Sequence, residues 1–202
     1  MRVLQIVVGI FLIVVLAACS GEPEDTDPTA AIKQAELSEF ESSMMKLAGQ
    51  NTFSFDIDIN SENVSELHAA IKYYENSEMK NVVSKSDVSL SKQNIKKPIR
   101  ITFIRRSPVK NKEEWITAVM TADGSSTTKQ TLDVSDREEM SSTAWGGITE
   151  PVSLDIGEQQ IVGTLVQTNQ NSTTILNTIE TNEQLMHATA YEQVYVMSIT
   201  LK

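Results

Sequence analysis

From residue 52 onward the chain keeps a period of two. Phe53, Phe55, Ile57 and Ile59 alternate with Ser54, Asp56 and Asp58. Leu67, Ala69, Ile71 and Tyr73 alternate with Glu66, His68, Ala70 and Lys72. Successive side chains of a strand point to opposite faces, so this pattern gives each segment an apolar face that must be covered. Further strands are expected near residues 79–91, 99–105, 114–122, 127–134, 159–168 and 192–201, with Asp123-Gly124 as a hairpin turn between two of them. Many short strands at this spacing predict a mainly β domain, an antiparallel sandwich or barrel. No fixed-period repeat is visible, which argues against a propeller or solenoid.

Before that switch the spacing is helical. Asp27-Pro28 suits a cap and first helical position. Ile32, Glu36, Phe40, Met44 and Leu47 then recur every three or four residues, and Gly49 is a stop. One amphipathic helix over about residues 29–48 is therefore expected to precede the β domain.

The first residues carry a different signal. Met1 and Arg2 precede an uncharged run, Val3 to Ala18, that is apolar except for Gln5 and Gly9. It is shorter than the roughly 20 residues a helix needs to cross a bilayer and suits the apolar region of a secretory signal. Its end, Leu16-Ala17-Ala18-Cys19, resembles the lipobox of bacterial lipoproteins. The resemblance implies that Cys19 receives a diacylglyceryl group and becomes the first residue of the mature chain. Residues 20–31, SGEPEDTDPTAA, are acidic, carry Pro23 and Pro28, and hold no large apolar side chain, so they read as a solvated tether. The expected organisation is a signal peptide over 1–18, lipidated Cys19 with its tether over 19–31, and one extracytoplasmic domain over 32–202. Two acyl chains hold a protein stably where one holds it marginally. The expected location is the outer side of a bacterial cell membrane. The lysine, asparagine and isoleucine content favours a Gram-positive source.

Cys19 is the only cysteine. Once lipidated it leaves no thiol for a disulfide, a metal or a nucleophile, so the domain must be held by its core. The net charge of −10 speaks against general nucleic-acid binding. The bases are unevenly spread. Lys92 to Lys112 reads KQNIKKPIRITFIRRSPVKNK and holds eight of the 17 basic residues and no acid. Either these charges pair with acids on neighbouring strands, or Lys96, Lys97, Arg100, Arg105 and Arg106 form a patch for an anionic surface such as lipid headgroups, a wall polymer or an acidic protein.

The search for chemistry yields little. His68 and His187 are far apart in sequence, and no nucleophile-elbow motif accompanies them. Asp56, Asp58 and Asn60 imitate the start of a calcium loop. Ser61 stands where its glycine belongs and Leu67 where its closing glutamate belongs, so they read as outward-facing strand residues. Asp133, Asp136, Glu138 and Glu139 are acids of a solvated run and the candidates a glycosidase would need. Trp115 opens a strand pattern and is expected in the core. Trp145, in an irregular Trp-Gly-Gly stretch, is a candidate partner-binding loop residue. No cofactor, metal or catalytic residue is expected. The leading expectation is a non-catalytic, membrane-anchored lipoprotein that binds a protein or an anionic envelope partner. A small-ligand or carbohydrate-binding module is the alternative, and a cell-wall hydrolase comes last.

Overall fold

Two antiparallel sheets stack face to face. A computed structural model describes residues 28–107 and 109–202. The expected signal peptide, Cys19 and the tether as far as Asp27 lie outside the described residues. The strands are β1 (Ala30–Gln34), β2 (Asn51–Ile59), β3 (Glu66–Glu75), β4 (Glu78–Ser89), β5 (Ile99–Arg106), β6 (Lys112–Thr121), β7 (Gly124–Asp133), β8 (Ser142–Gly147), β9 (Val152–Leu154), β10 (Gln159–Thr168) and β11 (Gln193–Leu201). Among the described residues two helices accompany them, α1 (Glu39–Ala48) and α2 (Asn182–Ala188), with a 3-10 turn at Asn94–Lys96. The first sheet runs in the order β7-β6-β5-β2-β1-β9 and the second β4-β3-β11-β10-β8.

The alternating segments supply the core. Phe53, Phe55 and Ile57 of β2 and Ile99, Ile101 and Phe103 of β5 meet Leu67, Ile71 and Tyr73 of β3 and Tyr195, Met197 and Ile199 of β11. Trp115 is fully buried among them. The strands β10 and β11 are apolar on both faces because both faces are covered, the behaviour of a strand with no solvated side. Val166, Val194 and Val196 form a second cluster with Ile179, Ala188 and Tyr191, contributed by α2 and the segments around it.

The first two elements differ from the sequence expectation. Residues 30–34 form a strand, so Ala30 and Ala31 belong to the domain rather than to the tether. Ile32 is fully buried between β2 and β9, and that burial overrides the helical spacing that Ile32 shares with Phe40. The helix starts at Ser38, whose hydroxyl accepts from the Glu41 amide while the Glu41 carboxylate accepts from the Ser38 amide, a reciprocal capping box. No residue of α1 is buried. An amphipathic stripe normally turns to the core, yet Phe40, Met44 and Leu47 are 73, 50 and 83% exposed. Gly49 closes the helix where an added Cβ would stand 2.7 Å from the Arg105 carbonyl oxygen, so the chain leaving α1 passes directly against the end of β5.

Turn chemistry is local and legible. Asn76 and Ser77 both have positive φ between β3 and β4, the two-residue turn that matches strand twist. Thr121 pairs with Gly124 across the hairpin expected at Asp123-Gly124, and Gly124 adopts φ 154°.

Candidate functional site

A concave surface that combines aromatic and main-chain groups lies between α1 and β8. Its floor is the first half of β2. β1 pairs with β2 only as far as Gln34 opposite Phe55, after which the Ala35 amide donates to the Ser54 carbonyl. Alternate residues of an antiparallel strand direct both main-chain groups to one side. The Thr52 amide and carbonyl therefore point the same way as Ser54's, beyond the end of β1 and without a strand partner there.

The facing wall is β8, an edge strand. The Ile148 amide donates to the Val162 carbonyl, so Gly146 and Ala144 turn their main-chain groups to β10 and Trp145 and Gly147 turn theirs outward. Two open strand edges thus border one groove. Its inner part is a cavity of about 350 Å³ lined by Met45, Thr52, Phe53, Phe55, Trp145 and Gly147, among others. An outer, more open part of about 740 Å³ shares Thr52 and Trp145 and adds Leu47, Gly49 and Arg106. Trp145 is 51% exposed. Gly147 is required here, because an added Cβ would lie 2.7 Å from the Val162 oxygen and 3.1 Å from Phe55.

Trp145 therefore sits on an edge strand and not in the irregular loop expected from Trp-Gly-Gly. Sequence reasoning missed β8 because STAWGG has neither alternation nor a hydrophobic run. It did not bring Leu47 and Met45 to the same groove as Trp145, because helix and edge strand lie about a hundred residues apart in the sequence.

The basic run does not make one patch. Arg100 binds Asp56 through Nε (2.8 Å) and Nη2 (3.0 Å) and Glu41 through Nη1 (2.9 Å). Arg105 points the opposite way, into the sandwich, where it binds Glu113 at 2.9 Å. Arg106 pairs with Glu114, which also receives Lys129 at 2.5 Å. Burial alone would raise the Glu114 carboxyl, but the hydrogen bonds from Lys129 and Arg106 outweigh it and hold the group below its ordinary value. Lys92 and Lys112 are paired with Glu62 and Asp133. Lys96 and Lys97 stay exposed, at the opposite end of β5 from Arg105 and Arg106, a separation of roughly 25 Å along an eight-residue strand.

Asp56 and Asp58, the calcium-loop imitators, are engaged by Arg100 and Lys33. His68 stands between Asp87 and Glu66 on the outer side of β3. His187 is in α2. Asp133 is held well below the usual carboxylate range by Lys112 and Ser135. Among the described residues no helix is long and apolar enough to cross a membrane.

A two-sheet antiparallel β domain with a groove bounded by open strand edges is the class that fold and site define. The chain belongs to the YgaN domain family, which matches residues 31–201. Comparison with curated proteins and with solved structures gives no match.

Proposed function

We propose that this protein is a lipid-anchored, non-catalytic lipoprotein of the bacterial cell membrane that binds an extended segment of a partner protein in the groove between α1 and β8. The observation that carries the reading is the pair of open strand edges, Thr52 on one side and Trp145 and Gly147 on the other. Strand addition uses such main-chain groups for affinity and flanking pockets for side-chain choice. Trp145, Met45 and Leu47 supply the apolar contact that main-chain bonds lack, and a half-exposed tryptophan is the residue type most often dominant in an interface.

Orientation supports the anchor. The chain enters the domain where Asn60 binds the carbonyl oxygens of Pro28 and Thr29. That end also carries Lys96 and Lys97, while the groove opens at the other end of β2, roughly 25 Å away. A lipid on Cys19 would hold the lysine end toward anionic headgroups, each base adding about 1 kcal/mol there, and leave the groove facing outward.

Trp115 is buried, so Trp145 is a usable reporter. Peptides selected from a random displayed library on the full chain should shift Trp145 emission to shorter wavelength and saturate. Neutral cell-wall oligosaccharides doing so instead would favour the small-ligand reading that the aromatic lining also permits. Cys19→Ala should abolish acyl labelling and leave the precursor uncleaved, and processing at the same bond would refute the anchor.

A further inference from the structure

The groove is uneven in charge along its length. Among the described residues its outer part is lined by Lys46 and Arg106 and by no acid, in a chain whose net charge is −10. Lys46 stands exposed in the last turn of α1, and no described acid pairs with it. Arg106 gives its Nε–H to Glu114, which also receives Lys129. Two cations on one carboxylate leave one positive charge there, and the Arg106 Nη groups have no partner among the described residues. The inner part is lined by no described charged residue, but the exposed acids Glu36 and Glu150 are chain neighbours of Ala35 and Thr149 in its wall.

The groove also has a direction. β1 and β5 both pair with β2 antiparallel, and β1 stops just past the point where Gln34 meets Phe55. A segment that continues the ladder of β1 along Thr52 therefore enters at Phe55 and leaves at Gln50, where Lys46 and Arg106 stand. β8 accepts the same direction. Gly147 lies against Phe55 while Trp145 shares both parts of the groove with Thr52, so β8 runs the way β2 runs. A segment antiparallel to one is antiparallel to the other, and antiparallel pairing is the more stable per residue. Its C-terminal end meets the two cations. A chain-terminal carboxylate is captured by open main-chain amides, and the nearest ones are used, Gly49 donating to Met45 and Gln50 to Arg105. Side-chain carboxylates are the groups that suit this end.

We infer, resting on the strand-addition reading above, that the partner segment runs antiparallel to β2 and sets aspartate or glutamate side chains of its C-terminal end on Lys46 and Arg106. A guanidinium with free Nη groups is well matched to a carboxylate. The reversed segment would bring its acids toward Glu36 and Glu150, and like charges brought together suppress the wrong orientation.

The test selects peptides from a random displayed library on the full chain in nonionic detergent and on its Lys46→Glu variant, and compares where acids fall. Peptides taken by the unmodified chain should concentrate Asp and Glu on the C-terminal side of their apolar core, and K46E should lose that bias. One selected peptide is then synthesised with both ends blocked. Replacing its acids by Asn and Gln should weaken binding, read by Trp145 emission, about fivefold, with a smaller loss at high salt. Lys46→Gln, which removes only the charge, should reproduce part of that loss with an unchanged Tm. Saturable peptides with no acid bias, with the bias on the N-terminal side, or binding only with a free terminal carboxylate would overturn this inference and leave strand addition standing. A library yielding no peptide that moves Trp145 emission would overturn strand addition, and this inference with it.

Discussion

Trp145 and Leu47 line the same groove from opposite walls, one on an edge strand and the other on a helix that buries none of its residues. Neither side chain is needed to close the core, which is complete without them. Their exposure therefore separates binding from folding. Trp145→Ala should cost about 2 kcal/mol of peptide affinity, roughly a thirtyfold rise in Kd, with little change in Tm. Calorimetric titration and thermal unfolding of the same variant check both halves. Intact affinity, or a large loss of stability, would remove Trp145 from the binding account.

The two glycines after Trp145 should respond differently to alanine. At Gly147 the new Cβ would meet the Val162 backbone oxygen at 2.7 Å and Phe55 at 3.1 Å, and backbone cannot step aside. Overpacking of that kind costs about 1–3 kcal/mol. At Gly146 the 2.7 Å contact is with the Ile175 Cγ2 methyl, in a segment outside helix and strand that can shift more readily than the β10 backbone. Thermal unfolding should show Gly147→Ala several degrees below Gly146→Ala. Equal effects would mean that β8 is not packed as described.

Acid should weaken the fold. The carboxyl of Glu114 is held low against burial by Lys129 and Arg106, that of Asp87 by Lys85 and then His68, and that of Glu192 by Thr168. A carboxyl with a depressed value in the folded state binds fewer protons there than in the unfolded chain. Its stabilisation is present above the ordinary values of 4.5 for glutamate and 3.8 for aspartate and is lost as pH falls through and below them. Urea unfolding should give constant stability near neutrality and a decline below about pH 4.5. Glu114→Gln should be less stable at pH 7 and lose less on acidification.

Membrane electrostatics should depend on Lys96 and Lys97 and not on the arginines. In anionic vesicles the reconstituted full chain should hold a fluorophore at Ser61, in the loop beside Lys92 and Lys96, close to the headgroups, and one at Leu47 far from them. Lys96→Glu with Lys97→Glu should reduce that difference, most clearly at low salt, because the screening length is about 8 Å at physiological ionic strength. Equal quenching at Ser61 and Leu47 in the unmodified chain would refute the orientation.

The sheet strands were legible because their burial is periodic. β2 and β3 alternate cleanly, and the continuous apolar runs of β10 and β11 reflect the second cluster covering their outer faces. The expected bounds of β10 coincide with the observed ones, and those of the other expected strands differ by one to three residues at an end. The first sheet's β1 was hidden because Ile32 lies at both a helical and a strand spacing from its neighbours, and only the tertiary contact with β2 and β9 decides between them. The true start of α1 is the capping box Ser38-x-x-Glu41, which the sequence reading did not use when it placed the cap at Asp27-Pro28. Trp145 was singled out in sequence, but the groove was not, because it exists only where β1 stops short of β2's first residues and β8 approaches from the other sheet. The charge run shows the reverse limit. Arg105 and Arg106 are adjacent in sequence, yet strand alternation sends one into the interior and the other to the outer face, so linear density of charge did not become a surface.

Main-chain amide exchange in the full chain, with and without a library-selected peptide, tests the groove account most directly. Strand addition predicts that the Thr52, Trp145 and Gly147 amides, open in the free protein, gain protection together when the peptide binds, while the Gly146 and Ile148 amides, already directed to β10, change little. Saturable binding that leaves Thr52, Trp145 and Gly147 exchanging at their free rates would contradict strand addition.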